Sequence, residues 1–281
     1  MPLSHGTVSV WLGAALCALL VSGCSAPQQT PRTVGSTRAA PASRQAAALS
    51  EARDALDLAP NDPAAQLALS MALFNAADLS YTAALVDWGA GATVDDPGQL
   101  ISGDEHLPAE VRETVGRYCT EGLALAEQAL ERAASSADGH LSLYARLLTG
   151  LHLSLLCWSD GATAALFSGR VGRLTGAVES LVSDAPEFAL GAPLRLRGRF
   201  LTLAPWPLGD ITEGRALLER ACTLSPLPIN HLFLGDVLWL DGDAQGARTH
   251  WQATLTAEPD AHTALSTPLH RRLAEQRLGQ L

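Results

Sequence analysis

The sequence predicts an all-α protein built as an array of antiparallel helix pairs, and three observations carry that expectation. Hydrophobic residues make up 47% of the chain but aromatics only 5%, with alanine and leucine running throughout, a balance that suits close helix packing better than sheet. A pattern of small and apolar residues ending in proline recurs, and Pro226 and Pro259 are separated by roughly one helix-pair period of ~34 residues. Between the repeats, Leu141, Tyr144, Leu148, Leu151 and Leu155 stand at helical spacing. With 17% charged residues the chain has the means to bury a core rather than remain disordered.

The formal net charge is -10, and the positive charge is carried by arginine with no lysine anywhere. That removes reaction classes which need lysine: phosphate-binding P-loops, pyridoxal Schiff bases and Ser-x-x-Lys acyl enzymes. An acidic chain without a basic stripe also argues against nucleic acid as partner. No HExxH or GxSxG motif occurs, so the chain is read as non-enzymatic, with no cofactor and no metal.

From the N-terminus, Val8 to Val21 is an apolar run too short for a ~30 Å span but suited to an export signal. It leads into Leu20-Val21-Ser22-Gly23-Cys24, which resembles a bacterial lipobox. The resemblance implies cleavage after residue 23, diacylation of Cys24 and, with Ser25 following, a place in the outer membrane. No Lys or Arg precedes the run, so a short N-terminal anchor or an uncleaved signal also fits. Residues 24–44 hold three prolines and several Ser and Thr and read as the lipidated cysteine with a flexible tether, reaching ~25 Å. The helical repeat domain is assigned to 45–281.

Within it, Ala48, Ala52, Ala55 and Pro60 repeat the second-helix spacing, and Leu69, Ser70 and Leu73 fit the start of the next unit. Trp88 to Pro108, glycine-rich with Asp95, Asp96, Asp104 and Glu105, exceeds normal loop lengths and reads as a functional or disordered loop. Gly122, Ala126 and Ala129 fit another second helix. Leu141 to Trp158 reads as the buried central helix. Gly198 and Leu201, then Gly214, Leu218, Ala221 and Pro226, form a helix pair with Asp210 and Glu213 as a capping box. Leu234, Gly235, Leu238, Ala247, Trp251 and Pro259 form the clearest pair, turning at Asp241-Gly242-Asp243, with Gly235 and Ala247 allowing close approach and Trp251 filling the groove. Thr267-Pro268 starts a last helix, whose charged face (Arg271, Arg272, Glu275) suits a terminal cap.

The last two pairs resemble the tetratricopeptide repeat, whose spacing is L-G-x2-Y…A-x3-F…P; Leu238 stands for the tyrosine and Trp251 for the phenylalanine. Together with the lipobox, the apolar central helix and the segment from Leu194 to Pro226 with its Pro-Trp-Pro-x-Gly-Asp turn, the chain is similar to the lipoprotein T component associated with TRAP-type periplasmic solute transporters. That resemblance implies tetratricopeptide-like helix pairs and a periplasmic solute-binding protein as partner. It carries over no transport residues.

Candidate binding residues are Arg195, Arg197, Arg199 and Trp206. Arginine forks hold carboxylates bidentately, so Arg195 and Arg199, on one face, suit an acidic peptide or organic acid, or else form a solvated helix face. Trp206, between prolines, either stacks on a ligand or plugs a loop. His231, at a large-aromatic position, reads as packing. Cys119, Cys157 and Cys222 read as packed free thiols, with room for one disulfide in an oxidising compartment. The expected function is that of an envelope lipoprotein with a protein-binding helical scaffold, an accessory of solute uptake and able to self-associate. The alternative is a periplasmic helical protein holding a small ligand. An open concave groove with exposed Arg and aromatic side chains and no buried ionisable cluster marks the scaffold, a closed cavity lined by Leu and Trp marks the ligand binder, and convergent His, Asp or Glu side chains in a deep cleft would mark an enzyme instead.

Overall fold

The computed structural model describes residues 41–92, 97–133, 139–205 and 207–281. The run read as an export signal, Cys24, the expected tether up to residue 40, Asp95, Asp96 and Trp206 lie outside the described residues. The protein is all-α. Its helices are α1 (Pro41–Leu58), α2 (Pro63–Gly91), α3 (Pro97–Ile101), α4 (Ala109–Ala133), α5 (Gly139–Asp160), α6 (Ala162–Phe167), α7 (Arg170–Asp184), α8 (Phe188–Leu203), α9 (Ile211–Leu224), α10 (Pro228–Leu240), α11 (Ala244–Thr256) and α12 (Thr267–Leu278), with a short 3-10 turn at Gly103–His106. The first helix begins four residues ahead of the boundary read at 45.

Local chemistry sets many of these ends. Asp62, Asp210 and Asp243 each accept a backbone N–H of the first turn that follows, at 3.1, 2.9 and 2.8 Å, filling donors that a helix N-terminus leaves open. Proline occupies the first turn of α2, α10 and α12, where its missing N–H is harmless. α8 opens with a left-handed turn at Ala189 (φ 46°), Leu190 (φ 58°) and Gly191 (φ 76°) before Pro193. Two of those three are not glycine, so the turn is strained backbone held by its surroundings.

The stretch from Trp88 to Pro108 is not a disordered loop where it is described. α2 continues to Gly91, and α3 with the 3-10 turn follows. Ile101 and Leu107 are buried in one core with Leu85, Val86 and Leu273, Leu100 is buried as well, and His106 stacks on Trp88 at 5.2 Å. Its glycines and acids hid three apolar anchors.

α2 and α5 are each apolar and long enough to cross a membrane. Here both are central helices: α2 packs on α1, α4, α5 and α12, and α5 on α4, α7 and α8. His152 of α5 is wholly buried and its Nε2 meets Ser70 Oγ at 3.0 Å, across from Gly122, where a side chain would strike the imidazole.

The residues read as packing positions are interior. Gly198, Gly214, Leu218, Ala221, Gly235, Ala247 and Trp251 are all buried. A Cβ on Gly198 would lie 2.7 Å from Leu218 Cγ and 3.0 Å from the Gly214 carbonyl, and one on Gly235 2.5 Å from Trp251 Cδ1. Glycine at these points lets α8 approach α9, and α10 approach α11.

Helices α2, α5, α8, α10 and α12 each touch the next, and α12 returns to α2. The outer helices α4, α7, α9 and α11 pack behind them. α12 is therefore not the exposed end of an open stack. It packs on α11, α10, α3 and α2 at once, and Gln276 Nε2 donates to the Val86 carbonyl at 2.7 Å. The helices close into a ring.

Candidate functional site

Four of the five inner helices send polar side chains to one place. Arg195 and Arg199 stand one turn apart on α8 and share a face. Arg195 Nη1 donates to Asn230 Oδ1 of α10 at 3.0 Å, and Asn230 is itself fixed by donating to the carbonyls of Ser225 (2.6 Å) and Ala221 (3.2 Å). Arg199 Nη1 meets Asp236 Oδ2 at 2.8 Å while its guanidinium lies 4.5 Å from the Phe233 ring centroid.

Asp236 is the hub. It is fully buried, accepts Trp251 Nε1–H at 3.0 Å and faces Arg277 of α12, whose Nε lies 2.7 Å from Oδ1 and whose Nη2 donates to Oδ2 at 3.1 Å. Arg277 is 2% exposed, yet among the described residues its Nη1 has no acceptor and Nδ1 of the buried His270 has no hydrogen-bond partner. Buried polar atoms of this kind normally have partners.

Charge in the cluster is uneven. Burial, then the guanidiniums of Arg195, Arg277 and Arg199, push His270 down to about 3, so its imidazole is neutral at ordinary pH. Asp78 of α2 is raised to about 6 by burial, against the opposing pull of Arg195 and a hydrogen bond from Thr82. Burial draws Arg195 down to about 10, opposed by Asp260, Asp78 and Cys222. Asp78 and Asp260 thus act on Arg195 through space, while its direct partner is a neutral amide. Arg195 and Asp78 are each partly buried rather than wholly so.

The three arginines read from the sequence separate. Arg195 and Arg199 turn into the wall and are neither a solvated face nor free forks. Arg197, on the opposite side of α8, pairs outward with Glu179 at 3.0 Å and approaches Glu213 at 3.9 Å. Trp206 lies outside the described residues. Sequence reasoning missed Asp78, Asn230, Asp236, His270 and Arg277. The signal that pointed to the last three is the appearance of Asp, His and Arg at positions where the helical pattern asks for apolar residues.

On the outer side of α8 and α9 lies an open groove of about 700 Å³ lined by Pro186, Glu187, Leu194, Arg220, Thr223 and Leu224. The strained turn with Leu190 (44% exposed) is close to it in sequence, and Leu224 is 40% exposed. The described thiols Cys119, Cys157 and Cys222 are free.

The sequence matches no protein-family model, and no curated protein matches it significantly.

Proposed function

We propose that the chain is a lipid-anchored envelope protein whose tetratricopeptide-like helix pairs, closed into a ring, hold the carboxylate of a small organic acid on the inner wall. The lipobox at Cys24 supports the address, and the resemblance to the T component of TRAP-type transporters supports a role as accessory of solute uptake. The observation that carries the reading is the shortage of acceptors at the wall. Arg199 and Arg277 share the Asp236 carboxylate while Arg195 is bonded to the neutral Asn230 amide, and the buried Arg277 Nη1 has no acceptor among the described residues. A ligand carboxylate supplies the missing acceptor, and a guanidinium in partly desolvated surroundings binds it more strongly than one in water. The wall offers binding groups rather than a nucleophile paired with a base, which supports carriage over turnover.

The test is calorimetric titration of the full chain with a series of mono- and dicarboxylates. One member of the series binds the parent protein; Arg195→Gln abolishes that binding; Asp78→Asn tightens it, because a neighbouring negative charge is removed. Acids that bind parent and Arg195→Gln equally well, or no binding at all, would sink the reading.

A second reading, a protein-binding scaffold, is supported by the outer groove between α8 and α9 with its exposed Leu224. Cross-linking in the native envelope distinguishes the two. A periplasmic solute-binding protein captured by the parent and lost with Leu224→Glu, while acid binding is unchanged, assigns the groove to that partner.

A further inference from the structure

Three consecutive helices bring together two imidazoles and a thiol. Cys222 sits in the last turn of α9, His231 in the first turn of α10 and His250 midway along α11. Cys222 Sγ lies 3.9 Å from His231 Nδ1, and His231 Nδ1 lies 3.0 Å from His250 Nδ1. All three donor atoms fall within 4.8 Å of one another. The rings are nearly stacked, with centroids 5.2 Å apart and planes at 28°.

These separations suit a metal ion. Tetrahedral zinc, with bonds of ~2.0–2.1 Å to nitrogen and ~2.3 Å to sulfur, sets its ligand atoms about 3.3 Å (N to N) and about 3.6 Å (S to N) apart. The observed distances straddle those values, so a small side-chain rotation completes the geometry. Two neutral Nδ1 atoms at 3.0 Å place lone pairs together unless a proton or a cation lies between them. Each of the three side chains is partly exposed, leaving an approach for the ion and for a fourth ligand. Around them, Glu219 and Asp243 act on His250, and Glu219 acts on Cys222, while Arg195 is the positive charge near the thiol.

We infer that Cys222, His231 and His250 form a binding site for a borderline divalent cation, zinc foremost, with water as the fourth ligand. Imidazole and thiolate select zinc, cobalt or copper over magnesium and calcium, which take oxygen donors. The bound ion releases the thiol proton to solvent and ties α9, α10 and α11 at one point. The spacing of the three ligands forms no CxxC or HxxxH pattern, so only the fold assembles them.

Cobalt is the probe. Titrating the full chain with Co2+ gives, at one equivalent, the visible bands of tetrahedral cobalt and a thiolate-to-cobalt charge-transfer band, both removed by one equivalent of Zn2+. Cys222→Ser loses the charge-transfer band with the far-ultraviolet circular dichroism unchanged, and His250→Ala weakens binding about 100-fold or more. Zinc raises the melting temperature of the parent and not of Cys222→Ser. A parent protein without the bands, or a charge-transfer band that survives Cys222→Ser and so belongs to another thiol, overturns the assignment.

Discussion

At the scale of single residues, the protein keeps ionisable groups where helices meet, and their protonation is written into its stability. Buried His270 stands at about 3 and buried His152 at about 4, both for reasons of burial first, against an ordinary value of ~6.5. Between those limits the unfolded chain binds protons that the folded chain refuses, so their stabilisation is complete above ~6.5 and is lost as pH falls. Asp78, raised to about 6, acts in the other sense: from about pH 4 to 6 the folded chain holds a proton that the unfolded chain has released. From pH 7 to pH 5 each histidine costs about 2 kcal/mol and Asp78 returns about 1 kcal/mol. Stability measured by urea unfolding therefore falls over that interval, and most of the fall disappears in His270→Gln. An unchanged fall in that variant would show that His270 is not held neutral. The sequence offered the arginines of this site but not their use. The one-turn spacing of Arg195 and Arg199 was legible; Asn230 and Asp236, which decide whether they face water or the wall, lie 35 and 37 residues further along the chain.

Within elements, sequence spacing read best where packing is local. The pair α10 and α11 was legible because Gly235, Ala247 and Trp251 do their work inside one hairpin, as do Gly198, Gly214 and Leu218 between α8 and α9. Such pairs predict opposite outcomes for the same substitution. A methyl at Gly198 meets Leu218 Cγ at 2.7 Å and a backbone carbonyl at 3.0 Å, and the carbonyl cannot swing aside, so Gly198→Ala costs about 1–3 kcal/mol of overpacking. Gly176 of α7 has no atom of another described element within 4 Å of the added methyl, and Gly176→Ala gains about 0.5–1 kcal/mol from helix propensity. Thermal unfolding of the two variants checks this. Equal melting temperatures would mean that α8 and α9 can separate without loss. In Trp88 to Pro108 the glycine and acid content conceals the ordered segments: Leu100, Ile101 and Leu107 are too few for a periodic signal, yet each is 5% exposed or less.

For the whole molecule, the decisive contact is the most distant one. Gln276 and Val86 are 190 residues apart, and no local pattern announces that α12 returns to α2. The visible charges of α12, Arg271, Arg272 and Glu275, suggested a solvated end, while Leu273, Ala274 and Arg277 on its other side are buried. An open stack and a closed ring respond differently to loss of the last helix. In an open stack each unit contacts only its neighbours, so damage stays at that end. In the ring, α12 also covers Leu85 and Val86 of α2. Ala274 is fully buried in the core that joins the two, so Ala274→Glu places an unpaired charge there. Hydrogen exchange in that variant is expected to accelerate in two separated segments together, the end of α2 near Val86 and the facing turn of α11, with α4 protected as before. Acceleration confined to α11 and α12 would mean that the ring is open in solution. Acceleration at α2 as well identifies the closure as a structural joint, and makes the polar wall dependent on it through Arg277.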